Sequence, residues 1–139
     1  MRQLTHQISL KTNGRRLYDI TPDVLGWANK TGLETGLITL YIQHTSASLL
    51  INENYDSDVL VDMERFFARL VPDGDPLFIH TAEGADDMPA HVRSALTQTT
   101  LSIPLVNGRA ALGQWQGIFL YEHRLAAHNR KVLLHLIGE

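Results

Sequence analysis

The sequence predicts an α+β domain with a largely antiparallel β-sheet and two or three helices packed on it. Three observations support this class: strand-type alternation near the N-terminus, an Asn107-Gly108 hairpin signal, and one strongly amphipathic helical segment. The chain has 139 residues, and no internal repeat or linker divides it. We therefore expect a single domain over residues 1–139.

The first half of the chain is expected to contain two strands, a helix and two further strands. Leucine and isoleucine alternate with polar residues in the first strand, as expected where one face of a sheet is buried. Pro22 and Asp23 are typical of the first turn of a helix, and Gly32 is typical of its end. The expected elements are strands Leu4–Leu10 and Leu17–Ile20, a helix from Thr21 to about Thr31, and strands Leu37–His44 and Leu49–Ile51.

The second half begins with the clearest helix of the sequence and ends in strands. Apolar residues recur at helical spacing between Asp56 and Leu70, and prolines and glycines interrupt the pattern from Pro72 onward. Pro89 can open a shorter helix that extends through Leu96. The remaining segments predicted as extended are Leu77–His80, Thr100–Val106, Arg109–Leu112, Gln116–Glu122 and Lys131–Ile137.

The composition excludes several classes of function. Fifteen acidic and twelve basic residues give a net charge of -3, which argues against sequence-independent binding of nucleic acid. The chain contains no cysteine, so disulfides, thiolate metal ligands and a thiol nucleophile are excluded. No apolar run is long enough to span a membrane, and the N-terminus lacks the apolar stretch of a signal peptide. We expect a soluble, cytoplasmic protein.

Three histidines are the strongest candidates for a metal site. His44 and His80 each end a predicted strand, and His91 lies in the opening turn of the helix at Pro89. Together they can supply the three nitrogens of an open zinc site. Their spacing matches no short zinc motif, and a histidine that bonds to a backbone carbonyl is the ordinary alternative for each.

Several acidic, polar and aromatic residues are further candidates for the site, and most of them also have an ordinary structural explanation. Glu53 follows a strand and is either functional or an exposed acid near a helix start, and Asp87 either orients a histidine or caps a helix. Hydroxyl groups of Ser46 and Ser48 can donate to phosphate oxygens, and the ring of Trp115 forms a stacking wall or fills the core. By contrast, His123 and His128 are predicted to lie in a solvated basic turn.

Three segments together resemble the YjbQ-like family. They are His44-Thr45-Ser46-Ala47-Ser48 with Ile51-Asn52-Glu53-Asn54, then His80 to His91 (HTAEGADDMPAH), then Gly108-Arg109 with Leu112 to Ile118 (LGQWQGI). The likeness runs in the same order over nearly the whole chain. It implies a compact α+β domain with a curved antiparallel sheet, usually assembled as a homotrimer with polar clefts near the subunit contacts.

The resemblance also implies a function and a site. Members are associated with a secondary thiamine-phosphate synthase activity, which joins a pyrimidine diphosphate to a thiazole phosphate and releases pyrophosphate. The expected partner is a phosphorylated small molecule, and the expected cofactor is a divalent metal, zinc or magnesium. The implied site has His44, His80 and His91 as metal ligands, Glu53, Asp87 and Gln116 as catalytic residues, and Ser46, Ser48, Asn52 and Trp115 as substrate-binding residues.

Two alternatives stay open beside this transferase. One is metal-assisted hydrolysis, in which a zinc-bound water attacks and Glu53 or Asp87 takes its proton. The other is a trimeric protein without turnover that binds a ligand or metal.

Overall fold

The computed structural model describes residues 1–139 and contains eight strands and three helices. The first half contains strands β1 and β2, helix α1, strands β3 and β4, and helix α2; the second half contains helix α3 and strands β5 to β8. In chain order they are β1 Arg2–Asn13, β2 Arg16–Asp19, α1 Thr21–Lys30, β3 Gly36–Ile42, β4 Ala47–Glu53, α2 Ser57–Leu70, α3 Asp87–Leu96, β5 Thr100–Val106, β6 Arg109–Ala110, β7 Gln116–Glu122 and β8 Ala127–Gly138.

All strand pairs are antiparallel, and they form two sheets. The larger sheet has the strand order β1-β8-β3-β5-β6, and the smaller has the order β2-β7-β4. The longest ladder joins the two ends of the chain, since β1 pairs with β8 along its whole length from Arg2 to Asn13. The predicted α+β class, with antiparallel strands and packed helices, is confirmed.

The core lies against the inner faces of the sheets. On β3, Ile38, Leu40 and Ile42 are buried, and the intervening residues of the strand are more exposed, which is the alternation expected of a half-buried strand. Strands β5 and β8 repeat this pattern, and β7 is buried on both faces from Gly117 to Glu122. Each fully buried leucine or isoleucine contributes about 1.5–3 kcal/mol through removal of its surface from water.

The first residues of helices α1 and α2 make different hydrogen bonds. Asp56 caps α2, because its side chain accepts a hydrogen bond from the backbone of Asp58 at 2.9 Å. Helix α1 begins at Thr21 as predicted, but the Thr21 hydroxyl accepts instead from the backbone of Ile118 on β7 at 2.8 Å. The helix has no side-chain capping bond, and the Thr21 side chain joins it to the sheet.

Several boundaries differ from the expectations by a few residues, and three of the differences have a clear physical reason. Residues 77–80 form no strand, because Pro76 and the turns around them leave no neighbouring strand to pair with. Helix α3 begins at Asp87, two residues before Pro89, because a proline is tolerated anywhere in the first turn, where its missing N–H has no partner. The last strand begins earlier, at Ala127, since it extends to match β1. None of the three helices is long and apolar enough to cross a membrane.

Candidate functional site

Two histidines and two carboxylates come together where the loop after α2 enters α3. His80 and Glu83 lie on the loop, Asp87 is the first residue of α3, and His91 follows one helical turn later on the same face. One potential ligand atom from each of the four lies within 4.8 Å of the others. We call these four residues the His-acid cluster.

A glycine turn brings the loop part of this cluster against the helix. Gly84 has a φ of 106°, a left-handed conformation that side chains with a Cβ rarely adopt. An added Cβ at Gly84 would also lie 3.1 Å from a carboxylate oxygen of Asp86. The sharp turn at Gly84 therefore allows Glu83 and Asp87 to face the same point.

Arg124 holds the loop in place, and the sequence reasoning did not identify it. Its guanidinium donates to Asp86 at 2.9 Å, to Asp87 Oδ1 at 2.7 Å and to the backbone carbonyl of Glu83 at 2.9 Å. The carboxylate of Asp86 also accepts from the backbone N–H of Leu125. Asp86 stands at the cap position of α3 but makes no capping bond, because its carboxylate is engaged in these contacts with the segment after β7.

The carboxylate of Asp87 is the centre of the cluster. It is 2% exposed, and its Oδ2 lies 2.7 Å from His80 Nε2 and 3.1 Å from His91 Nε2. Burial raises the pKa of Asp87, but the hydrogen bond from His80 and the charges of His91 and Arg124 outweigh it and lower the pKa to about 2. Asp87 is therefore a carboxylate throughout the physiological pH range.

The second nitrogen of His91 fixes the state of its ring. His91 Nδ1 lies 2.9 Å from the backbone carbonyl oxygen of Thr45, and a carbonyl can only accept, so Nδ1 carries a proton. In the neutral ring, Nε2 then presents a lone pair to Asp87 Oδ2, which is also an acceptor. Two acceptors 3.1 Å apart repel each other unless a proton or a cation lies between them.

His44 is not part of the His-acid cluster in the chain. Its Nε2 accepts a hydrogen bond from the backbone N–H of Lys131 at 2.8 Å, and its ring lines a separate cavity together with Ser46. Of the expected set of three histidines, one chain brings His80 and His91 together with Glu83 and Asp87, and it does not bring His44 to them. The physical reason is that the β3 end pairs with β8, whose backbone captures the ring.

The two serines are both buried but lie in different surroundings. Ser46 borders the cavity of His44, and its Oγ accepts from Arg130 at 2.9 Å. Ser48 is fully buried and bonds to His123 Nε2 at 2.8 Å and to Thr97 at 2.6 Å, so it cannot reach a substrate. His123, expected in a solvated turn, is also fully buried, because β7 continues inward to Glu122.

The other four predicted site residues lie at the far end of β4. Glu53 is opposite Gln116 in the β4–β7 ladder, next to Asn52, and the exposed Trp115 packs edge-on against Tyr55. Glu53 accepts from the backbone of Asp56, and Gln116 accepts from that of Gly113 at 2.7 Å. The seven residues of β4 span about 20 Å, so one chain does not gather these side chains at the His-acid cluster.

The fold and the site define a class: an antiparallel α+β domain with a His-acid cluster at the start of its last helix. The chain belongs to the UPF0047 protein YjbQ-like family, whose sequence model matches residues 6–139. It is 49% identical to a UPF0047 protein of Synechocystis over 99% of this chain and 94% of the relative. It is 45% identical to the UPF0047 protein YjbQ of Escherichia coli O157:H7, over 99% and 98% of the two chains.

Solved structures of similar proteins share the fold. A hypothetical protein from Aeropyrum pernix K1 superposes with a TM-score of 0.89 at 30% identity, covering 98% of this chain and 99% of that one. An uncharacterised protein of the YjbQ/UPF0047 family from Clostridium acetobutylicum gives a TM-score of 0.87 at 32% identity, covering 95% and 99%. The antiparallel architecture is therefore common to proteins from distant organisms.

Proposed function

We propose that the protein is a metal-dependent enzyme that acts on a phosphorylated small molecule, with the His-acid cluster as its metal centre. One observation carries the proposal: His91 Nε2 and Asp87 Oδ2, both acceptors in the neutral site, face each other at 3.1 Å. A proton on His91 Nε2 removes their repulsion by forming an ion pair, and a bound cation removes it while the ring stays neutral; we propose the second case. The hydrogen bond from His91 Nδ1 to a backbone carbonyl is the contact that orients many metal-binding histidines.

The donor set supports zinc over magnesium as the resident ion. Zinc accepts imidazole nitrogens and carboxylate oxygens at about 2.0–2.2 Å, whereas magnesium prefers oxygen ligands and water. His80 and His91 each lie within hydrogen-bond distance of Asp87, and the exposed Glu83 carboxylate lies 3.8 Å from His80. These spacings fit a small ion with an open position for water or substrate.

The reaction that we propose is the transfer implied by the family resemblance, in which a pyrimidine diphosphate joins a thiazole phosphate and pyrophosphate leaves. When bound, the metal would offset the negative charge of the diphosphate and stabilise the leaving group. Arg124 donates a hydrogen bond to Asp87 Oδ1 and so holds this carboxylate in place, with Oδ2 directed at the two histidines. Hydrolysis remains the second candidate, but with Glu53 at the far end of β4, only the carboxylates of the cluster can take a proton there.

We further propose a homotrimer. The outer face of the larger sheet carries apolar cross-strand pairs, Leu37 with Ile137 and Tyr41 with Leu133, and Leu37 and Tyr41 are 40% and 50% exposed. A neighbouring chain would cover this face. Sedimentation should give about three times the 15.6 kDa chain mass, and Leu37→Glu should shift the protein towards the monomer. A monomer at all concentrations contradicts this assembly.

Metal binding and turnover are tested separately. Untagged protein is stripped with a chelator and titrated with Zn²⁺ by calorimetry; we expect one site per chain, lost in His91→Ala and retained in His128→Ala. His128 is a suitable control because its ring bonds only to the neighbouring Ala126 carbonyl. Absence of zinc binding at micromolar concentration contradicts the metal centre.

Turnover is then assayed with the zinc-loaded protein. Thiamine phosphate should form from the two substrates and should fall to background in His80→Ala. No product from a protein that binds zinc excludes the transferase, and cleavage of a simple phosphate ester would then favour hydrolysis. If His80→Ala loses only melting temperature, and neither reaction occurs, the cluster is a structural site without turnover.

A further inference from the structure

A second polar site lies beside the His-acid cluster. It is a cavity of about 570 Å³, lined among others by His44, Thr45, Ser46, Thr99 and Arg130. Thr45 connects the two sites, since it lines the cavity while its carbonyl accepts from His91. No step proposed above uses the cavity.

Arg130 presents unused donors in this cavity. Its side chain is 5% exposed, and its Nε and Nη2 donate to Glu122, with Nη2 also donating to Ser46 Oγ at 2.9 Å. Its Nη1 makes no hydrogen bond within the chain. Nη1 is not among the buried side-chain atoms that lack a partner, so it remains open to solvent and can donate to an acceptor that enters from outside.

Three further side chains of the cavity, His44, Ser46 and Thr99, also have free donors. His44 Nε2 accepts from the backbone of Lys131, so the proton of the neutral ring is on Nδ1, which has no partner in the chain. Ser46 Oγ accepts from Arg130, and its own hydrogen has no acceptor. The hydroxyl of Thr99 is exposed and unpaired. These free donors match the acceptor oxygens of a phosphate group.

The charges around His44 favour an anion. Arg130, His128 and Lys131 all act on the ring, and the one opposing acid is Glu122. Burial, followed by the charge of Arg130, lowers the pKa of His44. Glu122 is fully buried, and besides Arg130 it accepts from a threonine hydroxyl and from two backbone N–H groups, which spread its charge.

We propose that this cavity is the phosphate subsite of the enzyme, which binds a phosphomonoester or diphosphate group through Arg130, His44, Ser46 and Thr99. The proposal rests on the proposed function in placing this subsite and the metal centre within one active site. Because Thr45 belongs to both sites, a substrate bound at the metal centre would lie next to the cavity. The cavity would then bind a phosphate group of that substrate or of the second substrate.

Nuclear magnetic resonance of the full chain tests the subsite without metal. The ¹⁵N-labelled protein is held in EDTA at constant ionic strength and titrated with inorganic phosphate, then with pyrophosphate, with chloride as the reference anion. We expect saturable shifts in the amides of residues 43–46, in Thr99 and in the Arg130 side chain. Shifts no larger than those with chloride overturn the proposal.

Two matched variants localise the effect. Thr99→Val removes a cavity hydroxyl and should weaken phosphate binding about tenfold to a hundredfold, the loss expected for one hydrogen bond to a charged group. Thr100→Val removes the neighbouring hydroxyl, which does not line the cavity, and should leave the affinity unchanged. Equal effects in the two variants overturn the subsite. Arg130 is left intact, because its loss would leave Glu122 buried without its partner.

The result of the phosphate titration does not depend on whether the metal centre exists. Phosphate binding in EDTA supports the subsite even if zinc titration fails, in which case only the proposed function is lost. Phosphate that binds only after zinc is added, with shifts confined to the His-acid cluster, refutes the subsite and leaves the metal centre standing.

Discussion

The buried ring of His123 makes the stability of the protein depend on pH. The ring is 0% exposed, its Nε2 bonds to Ser48, and its Nδ1 has no partner in the chain. Burial, with further contributions from the charges of Arg93, Arg15 and Arg130, lowers the pKa of His123 from 6.5 to about 3. In the folded protein the ring therefore stays neutral where the unfolded chain already binds a proton.

The sign and size of the effect follow from proton linkage. Below its ordinary pKa of 6.5 the unfolded histidine binds a proton, whereas the folded one does not bind it until about pH 3. The free energy of unfolding therefore falls as the pH falls through this range. The loss is about RT ln(1 + 10^(6.5 − pH)), which is below about 0.1 kcal/mol at about pH 7.5 and about 2 kcal/mol at about pH 5.

The assay is urea unfolding followed by circular dichroism, at one protein concentration and at both pH values. His123→Gln should be less stable than the natural chain at about pH 7.5, because it alters a buried contact. Between about pH 7.5 and about pH 5, its free energy of unfolding should nevertheless fall by about 2 kcal/mol less than that of the natural chain. His6→Gln, which removes an exposed imidazole, is the control. Equal losses in His123→Gln and the natural chain would refute the reasoning.

Three further changes test the loop, the core and the sheet. Arg124→Gln frees Asp87 and should weaken zinc affinity about tenfold to a hundredfold in calorimetry; an unchanged affinity would show that the loop holds itself. Glu64→Ala leaves the buried guanidinium of Arg93 without its acid and should cost about 3 kcal/mol in urea unfolding; a loss under about 1 kcal/mol would contradict that role. Gly36→Ala places a methyl group against the backbone of β8 and should lower stability by about 1–3 kcal/mol, measured in the same way; full stability would mean that the ladder can shift.

The elements were predictable because their signals are local. The alternation of the first strand, the helical spacing between Asp56 and Leu70, and the Asn107-Gly108 turn each lie within a short stretch of chain. Such signals report which face of an element is buried, whatever the partner. They failed at residues 77–80, where an apolar run has no strand beside it.

The candidate site was predictable only in part. Asp87 and His91 are one helical turn apart, so the helix alone places them on the same face, and the motif around His80 brought the loop into consideration. Glu83 lies in that motif but was not predicted as a site residue, because nothing in the sequence indicated the sharp turn at Gly84. Its exposed carboxylate joins the cluster through that turn.

The sequence by itself determined the class of fold, the order of the elements and the family, because each depends on neighbouring residues or on motifs read in order. Only the tertiary structure decided which distant groups meet. Arg124 reaches Asp87 across 37 residues and Thr45 meets His91 across 46, while Glu53 is separated from the cluster by the length of β4. The pairing of strands sets these distances, and no periodicity along the chain encodes the partner of a strand end.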